Sequence, residues 1–182
     1  MKELKTPIDI EEVKALRAGD AVKITGVIYT GRDAAHKRFC ELLCRGEKLP
    51  VDLDGGCIYY VGPTPAKPGR AIGSAGPTSS YRMDPYSEPL LKEGLKVMIG
   101  KGPRSEEYKA LLKEYGAVYL SAIGGAAAKI SESVKECEVV AYEDLGAEAV
   151  HKLSVVDFYA IVTYDSVGGD LFEEGVQKYS KK

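Results

Sequence analysis

Three short stretches of the chain combine a fixed cation with residues that let a backbone come close to a ligand. Gly31-Arg32-Asp33, with His36 just beyond, stands where a strand ends and a helix begins. Such a junction offers free backbone N–H groups and the positive end of a helix dipole, and Arg32 adds a fork of donors matched to a carboxylate or phosphate. An ordinary helix start would look the same locally, since an acid such as Asp33 is favourable in any first turn. His36 has the range of an acid–base group, or it braces Asp33 or a backbone carbonyl. The second stretch is residues 73–83, GSAGPTSSYRM. Its small residues permit close approach, and Thr78, Ser79 and Ser80 set hydroxyls beside Arg82. The third is Gly100-Lys101-Gly102, a lysine between glycines at a strand's carboxyl end, the edge where open α/β sheets place ligands. Surface lysines in loops are common, so Lys101 gains meaning only in company with the arginines. Gly124-Gly125-Ala126-Ala127-Ala128 has a similar position and reads as small residues packing a helix closely on a sheet.

Together these residues suit a small dicarboxylate or a phosphorylated ligand, without an obvious electrophile or strong base. Neither GxxxxGK[ST] nor GxGxxG after a strand occurs, which disfavours a nucleotide-binding α/β domain, and no Ser-His-Asp or Cys-His arrangement assembles. Cys40, Cys44, Cys57 and Cys137 include no CxxC pair. Cys40 and Cys44 could open an iron–sulfur motif, but Glu stands at position 47, so all four read as structural thiols and no metal ligand is expected.

The elements that hold these residues belong to one expected domain over residues 1–182. With 45% hydrophobic and 29% charged residues, the chain can bury a core. Its 25 basic and 27 acidic residues leave a net charge of −2, so no global basic field favours nucleic acid or an anionic membrane. Any anion must be gripped locally. The first twenty residues lack the apolar core of a secretion signal and no run is long enough to span a bilayer, so a cytoplasmic protein is expected.

Ile10, Val13 and Leu16 recur at helical spacing after Thr6-Pro7, which reads as the helix start, with Gly19 ending that helix; residues 20–30 alternate as a strand with a bulge near Gly26; residues 31–45 read as a helix and 57–61 as a buried strand. Residues 62–102 hold most of the nine prolines and read as a long functional loop. KVMIGKG and AVYLSAIGG each open a strand, glycine turn, helix unit, the mark of a parallel sheet covered by helices. Residues 137–142 and 155–164 add strands, His151 reads as a surface residue on a helix-like stretch, and the polar end carries a short helix at most.

In this order, the blocks GRDAAH, IGSAGPTSSYRMD, MIGKG, GAVYLSAIGGAAA and VAYEDLG resemble the β subunit of class I (iron–sulfur) fumarases and the C-terminal region of their single-chain forms. They are similar also to the β subunit of tartrate dehydratase, and the resemblance covers nearly the whole chain. It implies an α/β fold, a swivelling β/β/α three-layer domain with helices packed on a mixed sheet. It implies reversible hydration of fumarate to (S)-malate, or dehydration of L-tartrate in the close relative. A [4Fe-4S] cluster acting as Lewis acid is then expected in a partner α subunit and none in this chain. The chain is expected to be inactive without that partner and to assemble as (αβ)2. Carried over by position, Arg32, Arg82 and Lys101 resemble the family's carboxylate-binding cations, and Thr78 its substrate-contacting hydroxyl and candidate proton-transfer group. Asp33, His36 and Ser79 stand behind them. A neutral hydroxyl is a poor base, so Thr78 would need activation by charge or by an acid from the partner. The chain departs from the family with Ser79 where Thr is common, Tyr81 where a small residue is usual and Tyr159 where Pro is usual. A non-catalytic anion-binding module is the alternative of a different class.

Overall fold

The central strands are apolar on both faces because each face meets a different core. The computed structural model describes residues 1–122 and 127–180. In β3 (Cys57–Tyr59), β4 (Val97–Gly100) and β5 (Val118–Ser121), alternate side chains point to opposite sides. Tyr59, Val97, Ile99 and Leu120 join one buried cluster with Ile24, Phe158 and Val162. Ile58, Met98 and Tyr119 join a second, against Phe39, Leu90, Leu91, Tyr108 and Leu112.

The first cluster is the interior of a closed ring of strands. β1 (Lys2–Lys5) and β2 (Ala21–Thr30) are parallel, and β2, β3, β4 and β5 run parallel in that order. The long β7 (Val150–Tyr164) is antiparallel to β5 through Leu120↔Val162 and to β2 through Val22↔Ala160. It therefore joins both ends of the parallel row and closes a barrel of β2, β3, β4, β5 and β7. β1 pairs along β2, and β6 (Val134–Ala141) pairs antiparallel along β7. A bulge between Ile24 and Gly26 bends β2, as the broken alternation there predicts, and Thr6 Oγ1 occupies the space a Gly26 Cβ would need. The mixed α/β sheet agrees with the sequence expectation; its closure into a ring was not part of it.

The second cluster seals helices onto the outer face of the parallel strands. These are α2 (Asp33–Cys44), α3 (Asp84–Lys92) and α4 (Glu106–Tyr115), with Ser105 capping α4 and Gly116 ending it in the left-handed region. α1 (Ile10–Lys14), α5 (Ala127–Ser133) and α6 (Leu171–Tyr179) complete the described helices. No helix among the described residues is long and apolar enough to cross a membrane.

Three expectations change. The long loop of residues 62–102 contains α3, whose Pro85 lies in the first turn, where a missing N–H costs nothing, although Pro89 sits inside the helix. Thr6-Pro7 is not a helix start but a cis peptide after β1, and α1 begins later, capped by Asp9 accepting from the Glu11 N–H. His151 lies on β7, half-buried, with its N–H donating to Thr30 Oγ1 at 2.9 Å and its ring against the same hydroxyl. The Gly124-Gly125-Ala126 turn lies outside the described residues.

Candidate functional site

The carboxyl ends of three parallel strands hold the three cation-bearing segments. β2 runs into Gly31, whose N–H donates to the Tyr59 carbonyl at 3.1 Å. The Tyr60 carbonyl, just past β3, accepts the Thr78 N–H at 2.8 Å. β4 ends at Gly100, and Lys101 pairs with Ser79 as an isolated parallel bridge. Residues 78–80 are thereby stitched between β3 and β4, and lead into a 3-10 turn, Ser80–Met83, and then α3. The pin is Ser80, buried, whose Oγ accepts the Lys101 N–H at 2.9 Å. Gly100 is required here, since a Cβ would fall on Ser80 Oγ and within 2.9 Å of Tyr60 Cδ2.

Each arginine of the site is backed by a carboxylate. Arg82 Nη2 donates to Thr78 Oγ1 at 2.6 Å, and its Nε lies 3.2 Å from Asp33 Oδ2 as an ion pair without hydrogen-bond alignment. Arg32 Nη2 meets Glu148 Oε1 at 2.9 Å. Arg32 also packs against backbone, because a Cβ on Gly62 would come 3.2 Å from its Nη1 and 2.8 Å from the Ala147 carbonyl. Arg32 Nε and Asp33 Oδ1 are buried without a hydrogen-bond partner. These are polar atoms of the kind an incoming anion and its water complete. Lys101 is exposed, its backbone fixed by Ser80 and its side chain reaching outward. The Arg82 guanidinium thus lies directly beside the Thr78 hydroxyl.

His36 lies beneath Arg32. It is fully buried, and Nδ1 sits 2.9 Å from the Arg32 carbonyl, so it donates that proton and the ring is the neutral Nδ1–H form. Burial pushes its pKa down to about 4 against the help of that hydrogen bond. Of the two roles read from sequence, the carbonyl brace is the one this geometry supports. Ser79 is exposed and contributes its backbone bridge to Lys101. Tyr81 points outward, 62% exposed, on the rim of an apolar cleft of about 610 Å³ shared with Pro85, Pro103, Tyr108 and Leu111. None of Arg32, Thr78, Arg82 and Lys101 lines that cleft.

Sequence reading passed over Glu148 and left Ser80 as one hydroxyl among three. Glu148 carried no local signal, since its value comes from a partner far away in the chain. Ser80 had one in hindsight: it faces a glycine at the next strand's end. The thiols are dispersed, with Cys57 inside the barrel, Cys40 on α2 against the Tyr86 carbonyl and Cys137 on β6. Among the described residues there is no group of three or more His, Cys, Asp or Glu side chains that could hold a metal ion.

The family model described as the fumarase C-terminus matches residues 2–175. A Geobacillus stearothermophilus protein named "Putative fumarate hydratase class I" is 41% identical over 176 residues, which are 94% of this chain and 33% of that protein. The anaerobic class I fumarate hydratase of Escherichia coli is 40% identical over 159 residues, 86% of this chain and 29% of that protein. A Methanocaldococcus jannaschii protein named "Putative L(+)-tartrate dehydratase subunit beta" is 40% identical over 178 residues, 94% of this chain and 91% of that protein. The chain thus spans about a third of the length of the fumarate hydratases it matches and nearly all of the subunit.

Proposed function

The chain belongs to the fumarase C-terminus family, and from that premise we propose that it is the β subunit of a hydro-lyase that interconverts fumarate and (S)-malate. The carrying observation is that Thr78, Arg82 and Asp33 are in direct contact, while Ser80 ties the Lys101 segment to them. In this reading Arg32, Arg82 and Lys101 bind the two substrate carboxylates. Asp33 and Glu148 hold the guanidinium groups in place, leaving donor edges for the ligand. Thr78 contacts the substrate and moves a proton, helped by the charge of Arg82. His36 fixes the carbonyl before α2, and with it the direction in which Arg32 leaves the backbone.

The partner α subunit would supply a [4Fe-4S] cluster as Lewis acid toward the leaving hydroxyl, and this chain alone would be inactive. The relative named a tartrate dehydratase β subunit supports a partner chain and makes L-tartrate the alternative substrate; an (αβ)2 assembly in the cytoplasm is part of the same proposal. Coexpression with an α chain, anaerobic cluster reconstitution and assay of fumarate, malate and L-tartrate tests the reading. Turnover of fumarate and malate that is absent from the isolated chain is expected. Turnover of L-tartrate alone would shift the substrate, and turnover of none would overturn the proposal.

A further inference from the structure

Arg104 is the one Lys or Arg in the buried class among the described residues. Its side chain is wholly shielded, and Nε donates to Asp84 Oδ1 at 2.5 Å. The other oxygen of Asp84 accepts the Ser105 N–H at 2.8 Å, and the Arg104 N–H donates to the Tyr164 hydroxyl at 3.2 Å. The guanidinium lies over the Tyr108 ring at 3.4 Å and beside Tyr119 at 4.9 Å. Its Nη1 and Nη2 have no hydrogen-bond partner, so they rest on aromatic faces instead.

A buried ion pair is a weak source of stability, because desolvation offsets its Coulomb gain, but it is strict about geometry. The position of this pair gives the geometry a use. Asp84 opens α3 two residues after Arg82, and Arg104 follows Lys101 by three. With two oxygens engaging two donors on residues 104 and 105, Asp84 cannot slide along the loop as an apolar contact would. At the front of the same junction Ser80 and Lys101 are joined by two bonds, of 2.9 and 3.3 Å.

We propose that Asp84 and Arg104 are positioning residues that fix the segment of Thr78 and Arg82 against the segment of Lys101, setting the separation of the two cations. The proposal deepens the reading of Arg82 and Lys101 as carboxylate binders and rests on it. Asp84→Asn keeps the size of the side chain but removes the charge and one acceptor. Arg104→Lys keeps the charge without the planar fork and serves as the second variant.

Amide hydrogen exchange on the full chain reads the clamp without any assumption about activity. In either variant the Ser80 and Lys101 amides are expected to exchange about tenfold faster or more, with Tyr119 and Leu120 in β5 unchanged. Equal acceleration everywhere, or none at the junction, would overturn the proposal. In the complex with its partner, D84N is expected to raise KM for the dicarboxylate about tenfold with a smaller change in kcat, the order of a lost charge-assisted hydrogen bond. In a Lys101→Ala background the same substitution should change kcat/KM less than about twofold, since its route to the substrate is gone. The same loss in both backgrounds would overturn the clamp. A Lys101→Ala enzyme with unaltered kcat/KM would instead overturn the role given to Lys101, and the exchange result would stand apart from it.

Discussion

His36→Asn should flatten the dependence of stability on pH. The imidazole is fully buried, donates from Nδ1 to the Arg32 carbonyl, and is held down to about 4 from an ordinary 6.5 by burial. The unfolded chain therefore takes up a proton near pH 6.5 while the folded chain resists until about pH 4. Stability from the neutral group is complete above 6.5 and is lost as pH falls from there toward 4. Each pKa unit is worth about 1.4 kcal/mol, so the depressed value amounts to about 3 kcal/mol in full, of which about 2 kcal/mol is lost between pH 7 and pH 4.5. Asn retains an N–H near the position of Nδ1 and has no titration in that window. Urea unfolding followed by circular dichroism at the two pH values is the assay. The unfolding free energy of the wild type should fall by about 2 kcal/mol more than that of H36N, with the neighbouring acids and His151 cancelling in the comparison. Parallel pH profiles, or an imidazole resonance titrating near pH 6.5 in the folded protein, would refute the burial argument.

Gly100→Ala should cost about 1–3 kcal/mol of stability by overpacking Ser80 and Tyr60, and in the assembled enzyme it should raise KM by displacing Lys101; thermal unfolding and steady-state kinetics check the two effects. Thr30→Val removes a buried hydroxyl that accepts the His151 N–H and lies 3.3 Å from the Ala149 carbonyl, and chemical denaturation should show a loss of about 1–3 kcal/mol. Asp165 is buried, which raises its pKa, but backbone N–H groups of Ala18, Gly169 and Val167 outweigh this and lower it. Asp165→Asn should therefore cost about 1–3 kcal/mol at pH 7, and the difference from wild type should shrink only as pH falls below the ordinary carboxyl value of 3.8.

What was legible in the sequence was local. Apolar strands ending in glycine and followed by helical spacing identify β4 with α4 and β5, and the broken alternation at Gly26 identifies the bulge. The three cation-bearing segments stand out by residue type, and strand ends bring them to one edge. Pairings between distant positions leave no such trace. β7 serves both β2 and β5, so the closure of the barrel depends on a register that no short window contains. His151 reads as a surface residue until Thr30 is opposite it. The Asp84–Arg104 pair and the Arg32–Glu148 pair are likewise invisible until the fold joins their segments. α3 was hidden by its prolines, although Pro85 sits where a helix accepts one.

The central claim is that Arg32 and Arg82 of this chain grip the substrate carboxylates of a hydro-lyase whose Lewis acid resides on a partner. The most direct measurement is kcat/KM for fumarate hydration by the reconstituted complex, wild type against Arg32→Ala and Arg82→Ala, with thermal unfolding confirming that each variant is folded. A loss of about 10- to 100-fold for each is predicted, the equivalent of a charge-assisted hydrogen bond of roughly 1.5–3 kcal/mol. Two folded, assembled variants with wild-type kcat/KM would contradict the account.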